Sequence, residues 1–256
     1  MRVSVTGRNG IGLLAIICVL LGWQLAATLI HMPLILPTPR QAFIQIGALI
    51  ITGDFWHHLW ATLSRGLSGF GLSLFFGLAV GVLAGTNRNA GAFCRPLIIL
   101  MRSTPVMSVI ILALIWFKRD TVPVFVTFLM AFPIVSQNII EGAGSIDRNL
   151  LEMATVYRIS KRRQFTKLYL PSLVPFLAAG ISAGLGITWK VLIAAEVLAY
   201  PAWGIGAQMD TARVYLQTDK VFAWTLIVVA LGLCFDYLLD YLLKRPFQTR
   251  QEASHD

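Results

Sequence analysis

Charge is scarce in this sequence. Asp, Glu, Lys and Arg make up only 13% of its 256 residues, against roughly 25% in soluble domains, whereas hydrophobic residues make up 57%. No G-x-x-x-x-G-K-[ST] phosphate loop occurs in it, and its 3 cysteines lack the spacing of metal ligands. These shortages exclude an ordinary soluble domain, a nucleotide-hydrolysing subunit with a phosphate loop, and a cysteine-ligated metal site.

The uncharged residues gather in long apolar runs, which approach the roughly 20 residues that cross a bilayer as a helix. A spanning chain must satisfy its backbone hydrogen bonds internally, and the alternating pattern of a membrane barrel is absent. The sequence therefore predicts an all-α, polytopic membrane protein that forms a single transmembrane domain over residues 1–256. Its expected spans lie at about residues 10–30, 58–86, 94–117, 122–140, 172–199 and 221–243.

Cations set the expected orientation. A net charge of +9 is also found in nucleic-acid-binding proteins, but Lys and Arg of a membrane protein concentrate in cytosolic loops. With the amino terminus inside, the inner cations are Arg2, Arg8, Arg88, Arg95, Arg148, Arg158, Lys161, Arg162, Arg163, Lys167, Lys244, Arg245 and Arg250, and the outer ones are Arg40, Lys118, Arg119, Arg213 and Lys220. This asymmetry predicts that both termini and the loop at residues 149–171 are cytosolic.

The second span carries small residues at every fourth position. They are Gly69, Ser73, Gly77, Gly81 and Gly85. Small side chains at this spacing form a groove along one helix face and let another helix approach closely. The pattern predicts tight helix packing and indicates no particular function.

Four ionisable residues within the expected spans are candidate functional residues: Arg65, Arg102, Lys190 and Glu196. Ionisable groups at such depth are costly, and they usually pair with one another or line a cavity. Lys190 and Glu196 share a helix but lie about 240° apart around it, so each is expected to face another helix. The four residues are candidates either for a buried charge network or for the lining of a transport path.

The long polar interruption at residues 149–171 separates two spans. Asp147 or Asn149 can cap a helix there, and an apolar stripe at i, i+3, i+4 and i+7 then follows. The stripe consists of Leu150, Met153, Ala154 and Tyr157. Glu152 is expected in the first turn, where the helix dipole favours a carboxylate, and Ser160 can cap a second short helix. Spacing alone leaves two interpretations open, a docking surface or a solvated loop whose cations only enforce topology.

The same loop resembles the EAA loop of ABC importer permeases, whose pattern is E-A-A, three residues, Gly, nine residues, I-x-L-P. The matching residues are Glu152, Met153, Ala154, Arg158, Leu168, Leu170 and Pro171. Three other pieces resemble the nitrate, taurine and alkanesulfonate branch of these permeases. They are LPTP at 36–39, FPI at 132–134, and WKVLIAAE at 189–196 followed by GIG at 204–206, so that the resemblance extends from about residue 36 to 245.

The resemblance implies a type I ABC importer permease fold in a multi-pass protein of the bacterial inner membrane. It implies that the loop forms two coupling helices, which seat in a groove of a cytosolic ABC ATPase. The coupling residues would be Glu152, Met153, Ala154, Tyr157, Arg158, Ser160, Leu168 and Pro171. The implied partners are an ATPase dimer, an external substrate-binding protein, a second permease copy and membrane lipids, with no nucleic acid. This chain would carry no catalytic residue, metal or cofactor, because ATP and Mg bind the ATPase.

Two residues depart from the EAA pattern. Met153 replaces the first alanine, a mild change because both residues favour helices. Arg158 replaces the glycine, and a left-handed conformation there costs a non-glycine residue roughly 1 to 2 kcal/mol. The turn is therefore either built differently here, or Arg158 is tolerated and contacts the partner.

The resemblance implies a small solute, and the cations within the spans suit an anion such as nitrate, taurine or an alkanesulfonate. A vitamin precursor is an alternative, because the same branch carries such compounds. A second alternative is a secondary transporter driven by an ion gradient, with Lys190, Glu196 and Arg102 as coupling residues. That alternative predicts inverted hydropathy repeats, which the sequence lacks, and leaves the cytosolic loop unexplained.

Overall fold

The computed structural model of the chain describes residues 5–241, and for residues 5–9, 13 and 148 it describes the backbone alone. All regular elements in this part are helical. They are α1 (Val5–Ile30), α2 (Pro39–Ile51), α3 (Gly53–Thr86), α4 (Arg88–Ser103), α5 (Val106–Trp116), α6 (Val122–Gly144), α7 (Arg148–Val156), α8 (Lys161–Gln164), α9 (Leu170–Ala199), α10 (Ile205–Val214) and α11 (Thr218–Leu239). A π-helical turn, Phe165–Tyr169, joins α8 to α9.

Five helical stretches between residues 5 and 241 are long and apolar enough to cross a membrane. They are Gly10–Ile30, Gly53–Thr86, Val122–Gly144, Lys161–Ala199 and Thr218–Leu239, and α4 with α5 makes a sixth if that bent pair counts as one span. The predicted all-α polytopic fold is confirmed. The predicted end of the last span at 242–243 lies outside the described residues, as do Arg2, Lys244, Arg245 and Arg250; the side chains of Arg8 and Arg148 are likewise not described.

The stretch expected as one span at 94–117 is two helices, α4 and α5, which meet at an angle of 97°. Pro105 causes this break, because it lacks an amide hydrogen and disfavours the helical conformation in the residue before it. Thr104 is accordingly extended, with φ −73° and ψ 126°. Pro96 leaves α4 continuous, so only the second of the two prolines divides the segment.

The span expected at 58–86 begins earlier, at Gly53, so that α3 has 34 residues. The preceding helix α2 starts with Pro39 in its first turn, behind a capping box in which Thr38 and Gln41 exchange hydrogen bonds. Residues 44–60 therefore form the end of α2 and the start of α3, with a break at Thr52.

The small-residue stripe of α3 packs against α6, as the spacing predicts. A Cβ atom built on Gly77 would lie 2.8 Å from Val135 Cγ1, and one on Gly81 would lie 2.6 Å from Ile139 Cβ. Gly85 meets Ala143 in the same register, so α3 and α6 run parallel. At these positions glycine is required by the close approach of the two backbones.

Helix α9 packs against α3 and α6 and runs antiparallel to both. Gly180 of α9 faces Asn138 late in α6, whereas Leu192, later in α9, faces Gly66 early in α3. The bundle therefore has two distinct ends. The start of α6, the end of α9 and helix α10 share one end, which we call the α10 end; α7 and α8 lie at the other, which we call the α7 end.

Candidate functional site

The first backbone N–H groups of α10 are capped by side chains from two other helices. Gly204 N donates to Nδ1 of His58 over 3.0 Å, Ile205 N donates to the hydroxyl of Thr62 over 2.8 Å, and Gly206 N donates to Oε2 of Glu196 over 3.0 Å. A helix start leaves such donors without intrahelical partners, and leaving them unsatisfied away from water is costly. The carboxylate also complements the positive end of the α10 dipole.

Arg65 joins this cap to the neighbouring elements. Its Nη1 lies 2.8 Å from Oε1 of Glu196 and also donates to the carbonyl of Trp203, while its Nη2 lies 2.6 Å from Oδ1 of Asp120. The Arg65 side chain is 11% exposed and that of Glu196 is 0% exposed. Thr62 donates its hydroxyl proton to Glu196 Oε2 over 2.8 Å. One guanidinium therefore ties α3, α9 and the starts of α6 and α10 together.

The G-I-G sequence before and within α10 lets the chain approach Glu196. A Cβ atom on Gly204 would lie 2.8 Å from Glu196 Cδ, and one on Gly206 would lie 2.6 Å from Glu196 Cβ. Neither position has room for a side chain while the carboxylate stays where it is. The two glycines are thus required by the buried carboxylate of Glu196. We call Glu196 and the side chains joined to it or to α10 the α10 clamp: His58, Thr62, Arg65, Asp120 and Glu196; Asp120, at 62% exposure, is its solvent-facing member.

The structure separates the four ionisable candidates. It brings Arg65 and Glu196 together in the α10 clamp. Lys190 lies elsewhere, in a cavity between α3, α9 and α11. Arg102 is exposed in the last turn of α4 and belongs to neither place.

Sequence reasoning missed three members of the α10 clamp, and two of them left a signal. His58, Thr62 and Arg65 fall at i, i+4 and i+7, so one polar face runs along an otherwise apolar span. His58 is buried and accepts a hydrogen bond from Gly204 N. Asp120 lies between two spans, and only the fold brings it to Arg65.

The loop at the α7 end has the predicted two helices. Asp147 caps α7 by accepting from Asn149 N over 2.8 Å. The helix ends in two bonds, one from Arg158 N to Thr155 O (3.0 Å) and one from Ile159 N to Ala154 O (2.9 Å), which is the Schellman pattern. The left-handed residue of that pattern is Arg158, with φ +50°. Arg158 therefore occupies the position that normally favours glycine.

Two expectations for this loop were wrong. Because α7 begins at Arg148, Glu152 falls in the second turn, beyond the reach of the helix-start dipole. Ser160 stands directly before α8, but its hydroxyl makes no capping hydrogen bond. The first intrahelical bond runs from Gln164 N to Ser160 O, and Gln164 Nε2 donates to Ile159 O in the preceding turn.

The apolar stripe of α7 is largely exposed. Met153 is 50% exposed and Tyr157 is 75% exposed, whereas Ala154 is buried at 1%. Val156, outside the predicted stripe, is 78% exposed. Leu168 is half-buried, while Glu152 and Pro171 are exposed. We call Leu150, Met153, Val156 and Tyr157 the α7 patch; exposed apolar surface of this kind is a candidate interaction site.

The conformation of Arg158 gives a first prediction. Arg158→Gly should slow hydrogen exchange of the Ile159 amide about fivefold or more, because it removes the left-handed strain of a side chain. Arg158→Val should accelerate exchange at the same amide. Exchange measured by mass spectrometry on peptides covering residues 154–160 checks both. Arg163→Gly, within α8, is the matched control: it removes the same side chain from a helical position and should accelerate local exchange. Unchanged exchange in Arg158→Gly would contradict the assigned strain.

Apolar spanning helices, a clamped helix at one end and an exposed two-helix loop at the other define a multi-pass membrane permease. Residues 74–248 match the family described as the binding-protein-dependent transport system inner membrane component. The chain belongs to this family and is the permease subunit of an ABC importer. Membership implies that it works with a binding protein and an ATPase on other chains.

Curated relatives are similar in sequence to most of this chain. A Bacillus subtilis permease named for the transport of aliphatic sulfonates, SsuC, is 31% identical over 241 residues, which cover 93% of this chain and 87% of the relative. The taurine transport permease TauC of Escherichia coli is 28% identical over 92% of this chain and 87% of its own length. The bicarbonate transport permease CmpB of Synechococcus elongatus is 29% identical over 78% of this chain and 72% of its own length.

A solved structure shares the fold. A chain of the MetNI methionine ABC transporter superposes with a TM-score of 0.61 at 18% sequence identity, covering 75% of this chain and 94% of that chain. At this identity the likeness supports the fold alone. It agrees with the helical bundle described above.

Proposed function

We propose that this permease imports a small oxyanion or organic sulfonate. The proposal rests on what three curated relatives are named for transporting: aliphatic sulfonates, taurine and bicarbonate. Each of these solutes is small and bears an anionic oxygen group. Lys190 lies within the apolar helix α9 and has no ion-pair partner among residues 5–241, and such a cation is compatible with an anionic solute. In proteoliposomes containing the complete transporter, ATP-dependent uptake of radiolabelled taurine, ethanesulfonate or bicarbonate tests this; uptake of none of the three would overturn it.

The α7 end faces the cytosol in this proposal, and both chain termini lie on that side. The support is the asymmetry of cations in the sequence, which favours a cytosolic position for the cluster Arg158 to Lys167. The α10 end then faces outward, where the binding protein delivers the solute. Two copies of the chain form the pathway between them.

The α7 patch is the proposed docking surface for the ATPase. It is apolar and exposed, yet it lies at the end of the bundle within a strongly cationic loop, where it has no hydrocarbon to enter. The coupling residues that the EAA resemblance implies all belong to this loop, with Ala154 packed inside and Met153, Tyr157 and Arg158 at its surface. The separate ATPase subunit binds ATP and Mg and hydrolyses ATP, so this chain needs no cofactor. Coupling acts through the preference of ATP for one conformation of the transporter.

Reversing the charge of Glu152 tests the docking surface. Glu152→Lys should leave the permease inserted and folded, because the side chain is exposed, but it should lower co-purification of the ATPase subunit about tenfold or more. Quantitative affinity purification in detergent provides the measurement. Asp210→Lys, an acidic residue of α10 at the other end, is the control and should retain the ATPase. An undiminished complex with Glu152→Lys would remove this face from the proposed interface.

A further inference from the structure

Helix α4 carries two arginines on one face near the α7 end. Arg88 and Arg95 are seven residues apart, which places their side chains within about 20° of each other around the helix and about 10.5 Å apart along it. Both are exposed, and neither has a carboxylate within ion-pair distance among residues 5–241. The two arginines therefore offer two uncompensated positive charges to a molecule outside this chain.

These arginines lie between the packed face and the exposed apolar face of α4. On one side of them, Gly91 and Ile98 belong to the packed face, since Ile98 is buried and Gly91 contacts α3. On the other side the apolar face begins with Ile99 and continues around the helix through Leu100 and Phe93, all of which are exposed. A row of cations beside an exposed apolar face is typical of a helix surface that contacts lipid headgroups and acyl chains together.

The start of α4 lies at the α7 end of the bundle. A Cβ atom on Gly91 would lie 2.7 Å from the backbone oxygen of Ala84, near the end of α3, and Gly85 in turn meets Ala143 near the end of α6. Arg95 therefore lies at most about 10.5 Å deeper in the membrane than Arg88. Long arginine side chains reach back toward the headgroup layer from such depths, so both guanidinium groups are within reach of the same leaflet.

Arg102 continues the same row but has a different setting. It lies about 21 Å from Arg88 along α4, beside the break at Pro105. It also stands in the last turn of the helix, where the helix dipole favours a cation. This distance places Arg102 beyond a headgroup held at the start of α4, so the site consists of Arg88, Arg95 and the adjoining apolar face.

We infer that this face of α4 binds cardiolipin, a phospholipid with two phosphate groups, from the leaflet at the α7 end. Each guanidinium binds one phosphate, because arginine pairs its N–H donors with two phosphate oxygens. The acyl chains lie over the apolar face that begins at Ile99. A lipid with one phosphate would leave one of the two arginines without a counter-charge, and basic sites at the cytosolic side of spanning helices are known to suit cardiolipin headgroups. The inference concerns the lipid and holds whichever solute is imported.

Lipid titration of the purified permease–ATPase complex in detergent tests the inference. Native mass spectrometry counts the bound lipid, and the thermal unfolding midpoint follows binding, since a ligand of the folded state raises it. Wild type should bind cardiolipin about tenfold or more tightly than phosphatidylglycerol supplied at equal phosphate concentration. Arg88→Gln combined with Arg95→Gln should weaken cardiolipin binding about tenfold or more and lose this preference. Arg119→Gln, which changes an exposed arginine at the α10 end, is the matched control and should bind both lipids as wild type does.

Arg88→Lys combined with Arg95→Lys keeps both charges but removes the paired donors, so its affinity for cardiolipin should fall between those of wild type and the glutamine variant.

Three results would overturn the lipid site. The first is equal affinity of wild type for the two lipids, and the second is wild-type cardiolipin binding by the double glutamine variant. The third is an equal loss of binding in Arg119→Gln, which would reduce the effect to general attraction between a basic protein and anionic lipid. A double glutamine variant that keeps cardiolipin but loses the second permease copy would show that protein covers this face, and would also overturn the site. None of these results bears on the proposed function, which fails only if uptake of every oxyanion tested is absent.

Discussion

Gly81→Leu should abolish the accumulation of folded permease. A Cβ atom at residue 81 would lie 2.6 Å from Ile139 Cβ and 3.0 Å from the backbone oxygen of Ser136. A backbone atom of a packed helix cannot move aside as a flexible side chain can, so α3 and α6 must separate. The cost should exceed the roughly 1 to 3 kcal/mol typical of an oversized residue in a core. Monodisperse yield in detergent and the thermal unfolding midpoint measure the effect.

Gly71→Leu is the control on the same helix, since a Cβ at residue 71 meets nothing within 4 Å. It should give wild-type yield and midpoint. Gly81→Ala should fall between the two, because only one carbon has to be accommodated. Wild-type yield for Gly81→Leu would show that the α3–α6 contact is looser than the structure indicates.

How far the fold could be predicted differs between its parts. The stripe at every fourth residue of α3 predicts a close contact, but it does not name the partner, because small residues accept any helix whose backbone can approach. That α6 fills the groove in parallel register follows from the connection through α4 and α5. Pro105 predicts a distortion of the helix, whereas the 97° angle between α4 and α5 depends on how these two helices pack in the fold.

The sequence predicts that the buried ionisable residues of the candidate site are paired, but it does not predict which residues pair with them. An ionisable residue such as Glu196 within a span predicts pairing, since the bilayer makes an isolated charge costly. Its partners come from three other elements, and no sequence spacing joins Glu196 to Arg65 or to Gly206 N. At the α7 end, Arg158 at a glycine position left two alternatives, a turn built differently or a tolerated Arg158 that contacts the partner. Its φ of +50° shows that Arg158 takes the left-handed conformation of the turn, so the turn is not built differently.

In the α10 clamp, the positive charge of Arg65 compensates the negative charge of the buried Glu196 carboxylate. Glu196 is fully buried and accepts from Thr62, Arg65 and Gly206 N, but only Arg65 carries a compensating charge among these donors. Removing one partner of a buried ion pair typically costs 3 to 5 kcal/mol, because the other charge is left uncompensated. Replacing both charges by neutral groups costs much less, provided that the remaining hydrogen bonds survive.

Arg65→Met should therefore lower stability by about 3 kcal/mol or more and abolish transport, because α10 loses its anchor. Glu196→Gln added to Arg65→Met should recover part of that loss, since the amide oxygen still accepts from Gly206 N and Thr62 without a buried charge. The measurement is a double-mutant cycle on thermal unfolding, with ATP-dependent uptake as the functional readout. Arg213→Met, which removes the exposed partner of Asp210, is the control and should cost about 1 kcal/mol or less. Additive losses in the cycle would show that Arg65 and Glu196 are not energetically coupled, and α10 would then be held by its backbone caps alone.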